Sequence, residues 1–151
     1  VISVELARKL REAGLRWRPV PGDRFTIDKP ELLGDVFTVS EMTIEARRLP
    51  TGTVLRFNGT TEWALDSVLL EEALWLPRED QLRELLGGTF RELARRGGSF
   101  RVTSALPDGG REMVMDHDAP RAADAYALAL LTLIARSADG GRTDRARAPG
   151  H

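Results

Sequence analysis

The sequence predicts an α+β domain, a mostly antiparallel sheet covered by helices, with an α-β-α sandwich as its fully layered form. Three observations predict it. Helical patterns stand near both ends and in the middle of the chain, at SVELARKLREAG, PREDQLRELLGG and APRAADAYALALLTLIARS. Short β-prone runs separated by turn residues lie between them. Finally, Pro107-Asp108-Gly109-Gly110 joins two such runs with a strong hairpin signal, which makes at least one pair antiparallel.

The first helix opens with Ser3, a good N-cap residue. Leu6, Ala7, Leu10 and Ala13 share one face, Arg8, Lys9, Arg11 and Glu12 the other, and Gly14 stops the run. RFTI, DVFTV, MTIEA and TVLRFN follow as strands, with Pro50-Thr51-Gly52 turning MTIEA back onto TVLRFN. EWALDSVLLEEALWL is ambiguous: its apolar residues fit a helical stripe, yet ALWL before Pro77 reads as a buried strand.

In PREDQLRELLGG, Pro77 takes the first helical position and Glu79 and Asp80 fall in the first turn, where negative charge is favoured. Leu82, Leu85 and Leu86 form the buried face, and Gly87-Gly88 ends the helix. Thr89 and Glu92 have capping-box spacing, which predicts a short helix over TFRELARR. SFRVTSAL and GREMVMD are the hairpin arms. Both carry apolar residues on both faces, which predicts helices on both sides of the sheet. APRAADAYALALLTLIARS is apolar on most sides and should be deeply packed. Residues 1–137 read as a single domain and 138–151 as a polar, disordered tail.

Composition narrows the function classes. A formal net charge of -1 argues against a nucleic-acid binder and gives no electrostatic attraction to a membrane. With no cysteine there are no disulfides, thiolate nucleophiles or zinc–cysteine sites. The N-terminus lacks a signal-peptide pattern, and AYALALLTLIA is short of the ~20 residues needed to span a bilayer. A cytoplasmic location is expected. Neither Lys9 nor Lys29 follows a glycine or precedes Ser or Thr, so no phosphate-binding loop is present, and no cofactor is expected.

One stretch looks chemical: Asp116-His117-Asp118, around the only histidine besides the terminal His151. These residue types suit a metal or acid/base site, a hydrolase centre using Asp116 and Asp118 with Glu112 or His117. In a strand, however, Glu112, Val114 and Asp116 point one way and Met113, Met115 and His117 the other, so the ligands diverge. Asp118, ahead of Ala119-Pro120, has the position of a helix N-cap. The structural reading is preferred.

Two further sets compete with it. Glu62 to Glu84 holds seven acidic residues and two arginines, which makes Glu71, Glu72, Glu79 and Asp80, with Trp63 nearby, candidates for a protein-binding face. Asn58, Trp63 and Asp66 are candidates for a small-ligand site, against a simpler reading as turn and helix-start residues.

FNGTTEWALDSV, WLPREDQLRELL and ADAYALALL together resemble a group of small actinobacterial proteins often labelled "pilus assembly protein CpaE", over about Leu6 to Ile134. The resemblance implies an association with pilus or secretion machinery and assigns no catalytic residue. The pilus protein of that name resembles a receiver-like domain joined to a P-loop ATPase, and the P-loop is missing here. The expected function is therefore a non-catalytic interaction or accessory module. Its partner is an unknown protein or a second copy, with no nucleic acid and no membrane.

Overall fold

The computed structural model describes residues 1–40, 45–49, 52–56, 67–69 and 72–147, with backbone alone for 45–69 and 139–147 within those ranges. In chain order the elements are α1 (Val4–Glu12), β1 (Arg24–Ile27), β2 (Phe37–Thr38), β3 (Glu45–Leu49), β4 (Gly52–Arg56), β5 (Ser67–Leu69), β6 (Ala73–Trp75), α2 (Glu79–Leu86), β7 (Phe90–Arg96), β8 (Ser99–Asp108), β9 (Arg111–Ala119) and α3 (Ala122–Arg147). Three helices with three-stranded antiparallel sheets make this an α+β protein. The chain gathers into two compact units, one of residues 1–15 and 79–151, the other of residues 16–78.

In the first unit, Ser3 caps α1 by accepting the Leu6 N–H at 3.4 Å, and its own N–H donates to Asp124 Oδ1 at 2.7 Å. Gly14, at φ +107°, breaks the helix because a side chain there would be strained. Ala7 and Leu10 are buried, and α1 packs on α3. α2 buries Leu82 and Leu86, but Leu85 is 40% exposed, so the apolar stripe is narrower than its three leucines suggest. Pro77 lies two residues ahead of α2.

TFRELARR is not a helix. Phe90–Arg96 is a strand paired with β8, and the Thr89 hydroxyl donates back to Leu86 O at 2.6 Å. Residues Gly97-Gly98 give β7 and β8 a two-residue turn, and the ladder to β8 supplies more hydrogen bonds than one helical turn could. Strands β7, β8 and β9 then form one sheet in that order. α3 covers one face of it, burying Ala122, Ala123, Ala125, Tyr126, Ala127, Ala129 and Leu130, with Tyr126 tilted against Phe90 at 5.6 Å.

On β9 the other face is exposed at Glu112, Val114, Asp116 and Asp118, so this sheet is not helix-covered on both sides. α3 also runs on through Gly140-Gly141 to Arg147, where composition predicted a tail. Alanine and arginine are strong helix formers and extend a ladder already nucleated.

The second unit has a β2-β1-β6 sheet and a β3-β4-β5 sheet. ALWL resolves as strand, with Phe25 opposite Trp75 and Leu74 opposite Thr26. β3 pairs with β4 from Glu45↔Arg56 to Leu49↔Gly52, the hairpin pairing expected of this region, with the first strand set three residues later than MTIEA. Phe25, Ile27, Val39 and Ala73 form the core, and Phe25 lies between the rings of Trp17 (5.4 Å) and Phe37 (5.5 Å). Beside it Asp23 is only 1% exposed. Its Oδ2 accepts from Trp17 Nε1 at 2.9 Å and from the Val20 N–H at 3.1 Å. Arg78 approaches Oδ1 at 3.8 Å and donates to Gly22 O at 2.6 Å.

Candidate functional site

The β8–β9 hairpin turns on Gly109 (φ +54°) and Gly110 (φ +82°), both left-handed as this tight turn demands. A two-residue turn closes on a hydrogen-bonded pair, here Asp108–Arg111, and the ladder alternates from there. Leu106–Met113, Ser104–Met115, Val102–His117 and Phe100–Ala119 are then the bonded pairs. Pro107, which has no N–H, sits opposite Glu112 in a non-bonded one. It follows that Glu112, Val114, Asp116 and Asp118 direct their backbone N–H and C=O groups away from β8. No described strand lies on that side.

The same alternation sorts the side chains. Met113, Met115 and His117 are half-buried on the α3 side, whereas Glu112, Val114, Asp116 and Asp118 are exposed. Val114, at 64%, is the most exposed large hydrophobic residue among those described. Asp116 and Asp118 share a face and His117 takes the other. The strand thus separates the three groups that the sequence sets side by side.

Each of the three is engaged locally. Asp118 receives both Arg101 Nε (2.8 Å) and Nη2 (3.0 Å), a two-pronged pair. This hydrogen bond, with the guanidinium charge, holds the Asp118 carboxyl below its ordinary range and pushes Arg101 higher. Asp118 is therefore a strand residue paired with β8 rather than an N-cap. The strand runs on to Ala119 and α3 starts only at Ala122. Asp116 accepts from the Thr103 hydroxyl at 2.7 Å and lies 3.8 Å from Arg101. Glu112 pairs with Arg91, which reaches over from β7 at 3.0 Å.

His117 Nε2 meets Thr132 Oγ1 on α3 at 2.8 Å. That hydroxyl also donates to Leu128 O at 3.2 Å, and with a single proton it must accept from the imidazole. Nε2 thus carries a hydrogen. Nδ1 is buried and finds no partner among the described residues. Burial pushes the His117 pKa below its usual value, against the smaller opposing pull of Asp116 and Asp118.

Of the expected protein-binding residues, Glu72 pairs with Lys29 at 3.4 Å in the turn before β6, and Glu79 and Asp80 are exposed in the first turn of α2. Asn58, Trp63, Asp66, Glu71 and the Pro50-Thr51 turn lie outside the described residues. Trp17 belongs to the core, and Trp75 Nε1 is buried without an acceptor among the described residues. No group of three or more His, Asp or Glu side chains among the described residues could hold a metal ion. None of the described helices is long and apolar enough to cross a membrane. No protein-family model, curated protein or solved structure matches the chain.

The β9 edge and the Asp23 cluster were not singled out by sequence reasoning. For the first, the Gly109-Gly110 turn marked the β8–β9 hairpin, but only the sheet order leaves β9 rather than β8 at the edge. For Asp23 there was no local signal, because Trp17, Val20 and Arg78 become its partners only through the fold.

Proposed function

We propose that this chain is a non-catalytic interaction module that accepts a strand of a partner protein onto the outer edge of β9. The observation that carries the reading is the edge itself. It has nine residues in unbroken register, with four outward-facing rungs, one of them at an exposed Val114. Such an edge is a ready template for strand addition. The opposite edge, β7, is interrupted by a bulge between Phe90 and Glu92, a feature that discourages pairing. A hydrolytic reading of Asp116 and Asp118 is less favoured. Arg101 already places a cation between the two carboxylates, and His117 has its Nε2 proton committed to Thr132. The resemblance to proteins labelled for pilus assembly makes pilus and secretion machinery the first place to look for the partner.

The test is affinity capture from the native cell with three forms of the chain. Val114→Pro removes one outward N–H and breaks no bond to β8, a substitution that sheet edges tolerate. A partner retained in stoichiometric amount by wild type and Val114→Ala, and lost by Val114→Pro, is the expected result. Equal retention by all three would falsify strand addition at β9.

A further inference from the structure

Which kind of strand the edge takes is encoded in the order of charges across the exposed sheet face. Glu112, Asp116 and Asp118 stand on β9 itself, with side chains 64%, 49% and 48% exposed. Their arginine partners sit inboard, Arg101 on β8 and Arg91 on β7. An incoming strand lies outside β9, so the side chains directly opposite its own are the three carboxylates and Val114, about 5 Å away. Each carboxylate has lone pairs left for a second cation, since one arginine cannot satisfy all of its acceptor sites.

A second copy of β9 is poorly matched to this row. Paired antiparallel about Met115, the two edges would set Glu112 against the partner's Asp118, and like charges directly opposite one another are destabilising. On the other face the incoming residues would meet Met113, Met115 and His117, all half-buried beside α3. That side favours apolar side chains, and methionine adapts to their shapes.

Resting on the reading of β9 as the docking edge, we infer that its occupant is an extended segment of a partner protein in which basic residues alternate with apolar ones. Basic side chains face Glu112, Asp116 and Asp118, a small or β-branched one faces Val114, and apolar ones face Met113, Met115 and His117. Backbone rungs supply the shared affinity, and the carboxylate row selects for charge.

The probe is a fluorescein-labelled peptide, Arg-Val-Arg-Val-Thr-Val-Arg, compared with its analogue bearing Glu at each Arg position, in anisotropy titrations against the full chain. The basic peptide should bind at least about tenfold more tightly, with the gap closing as salt rises. Val114→Pro should weaken it by a similar factor. The double variant Glu112→Lys/Asp116→Lys, which leaves the Arg101–Asp118 pair in place, should reverse the preference toward the acidic peptide.

Equal binding of both peptides, abolished by Val114→Pro, would keep strand addition and overturn the basic partner. Binding indifferent to Val114→Pro, or no binding of either peptide, would overturn both. A wild-type dimer in sedimentation at low ionic strength, where the carboxylates are unscreened, that Val114→Pro dissociates would make a second copy the occupant and overturn the inference.

Discussion

His117 sits between two aspartates in sequence, yet behaves as a packing residue in space. Its Nε2–H is spent on Thr132 and its Nδ1 lone pair is buried without a donor, so a second proton would have no acceptor. Burial accordingly lowers its pKa from the ordinary 6.5. The sign follows directly. An unfolded chain takes up the proton at higher pH than the folded one, so the contribution is complete above about 6.5 and is lost as pH falls through that value toward the folded pKa.

Melting curves between pH 8 and pH 5 should therefore decline more steeply for wild type than for His117→Leu. Parallel declines would show that His117 does not titrate differently on folding. A companion prediction separates the two aspartates near the start of α3. Asp124, not Asp118, receives a backbone N–H, that of Ser3. Asp124→Ala should lower stability by about 1 kcal/mol in urea unfolding. Asp118→Ala, losing only an exposed ion pair, should change it little. The opposite ranking would restore a capping role to Asp118.

At the scale of elements, what could be read from the sequence was whatever local chemistry decides. Ser3, Gly14, Gly87 and the Gly109-Gly110 turn each set a boundary through their own backbone preferences, and α1, α2 and the β8–β9 hairpin appear where those residues put them. The alternation that separates His117 from its flanking aspartates was equally legible. FRELARR was not, because its capping-box spacing is a weak local preference and its partner strand lies beyond Gly97-Gly98. Yet Arg96-Gly97-Gly98-Ser99 is, like Asp108-Gly109-Gly110-Arg111, a two-glycine turn between strands, though only Gly97 of its pair is left-handed, and giving the two pairs equal weight would have found β7.

Asp23 shows the other limit. A carboxylate at the start of β1 reads as a turn residue, and only tertiary structure brings the Trp17 indole and the Val20 amide to it. Removing that acceptor strips the partner from the half-buried Trp17 N–H, whereas the amide of Val20, a residue 51% exposed, can turn to water. Asp23→Ala should therefore cost about 1–3 kcal/mol for the donor left unsatisfied, read as a fall in the urea midpoint at constant m-value. Asp23→Asn, which keeps one acceptor oxygen, should recover part of it. A neutral outcome for Asp23→Ala would mean that water or another donor arrangement replaces the carboxylate readily.

For the whole molecule, the question is what keeps a long regular edge from pairing with its own kind. Unpaired edges invite self-association, and proteins guard them with bulges, prolines or charge. β7 has the bulge, while β9 has neither a bulge nor an internal proline, which leaves Glu112, Asp116 and Asp118 as its guard. A guard made only of charge has two consequences. It weakens as ions screen it, and it repels another β9 while admitting a strand of opposite sign.

Sedimentation of wild type should thus show little self-association at low ionic strength and more at high ionic strength, the reverse of an assembly held by ion pairs. The triple variant Glu112→Gln/Asp116→Asn/Asp118→Asn should associate at both, and adding Val114→Pro to it should suppress that association by removing a rung. If the triple variant stays as dispersed as wild type, the carboxylates are not what keeps β9 apart. If it associates and Val114→Pro has no effect, the contact lies elsewhere on the surface. Loss of association with the proline alone ties both the guard and the docking edge to the same strand.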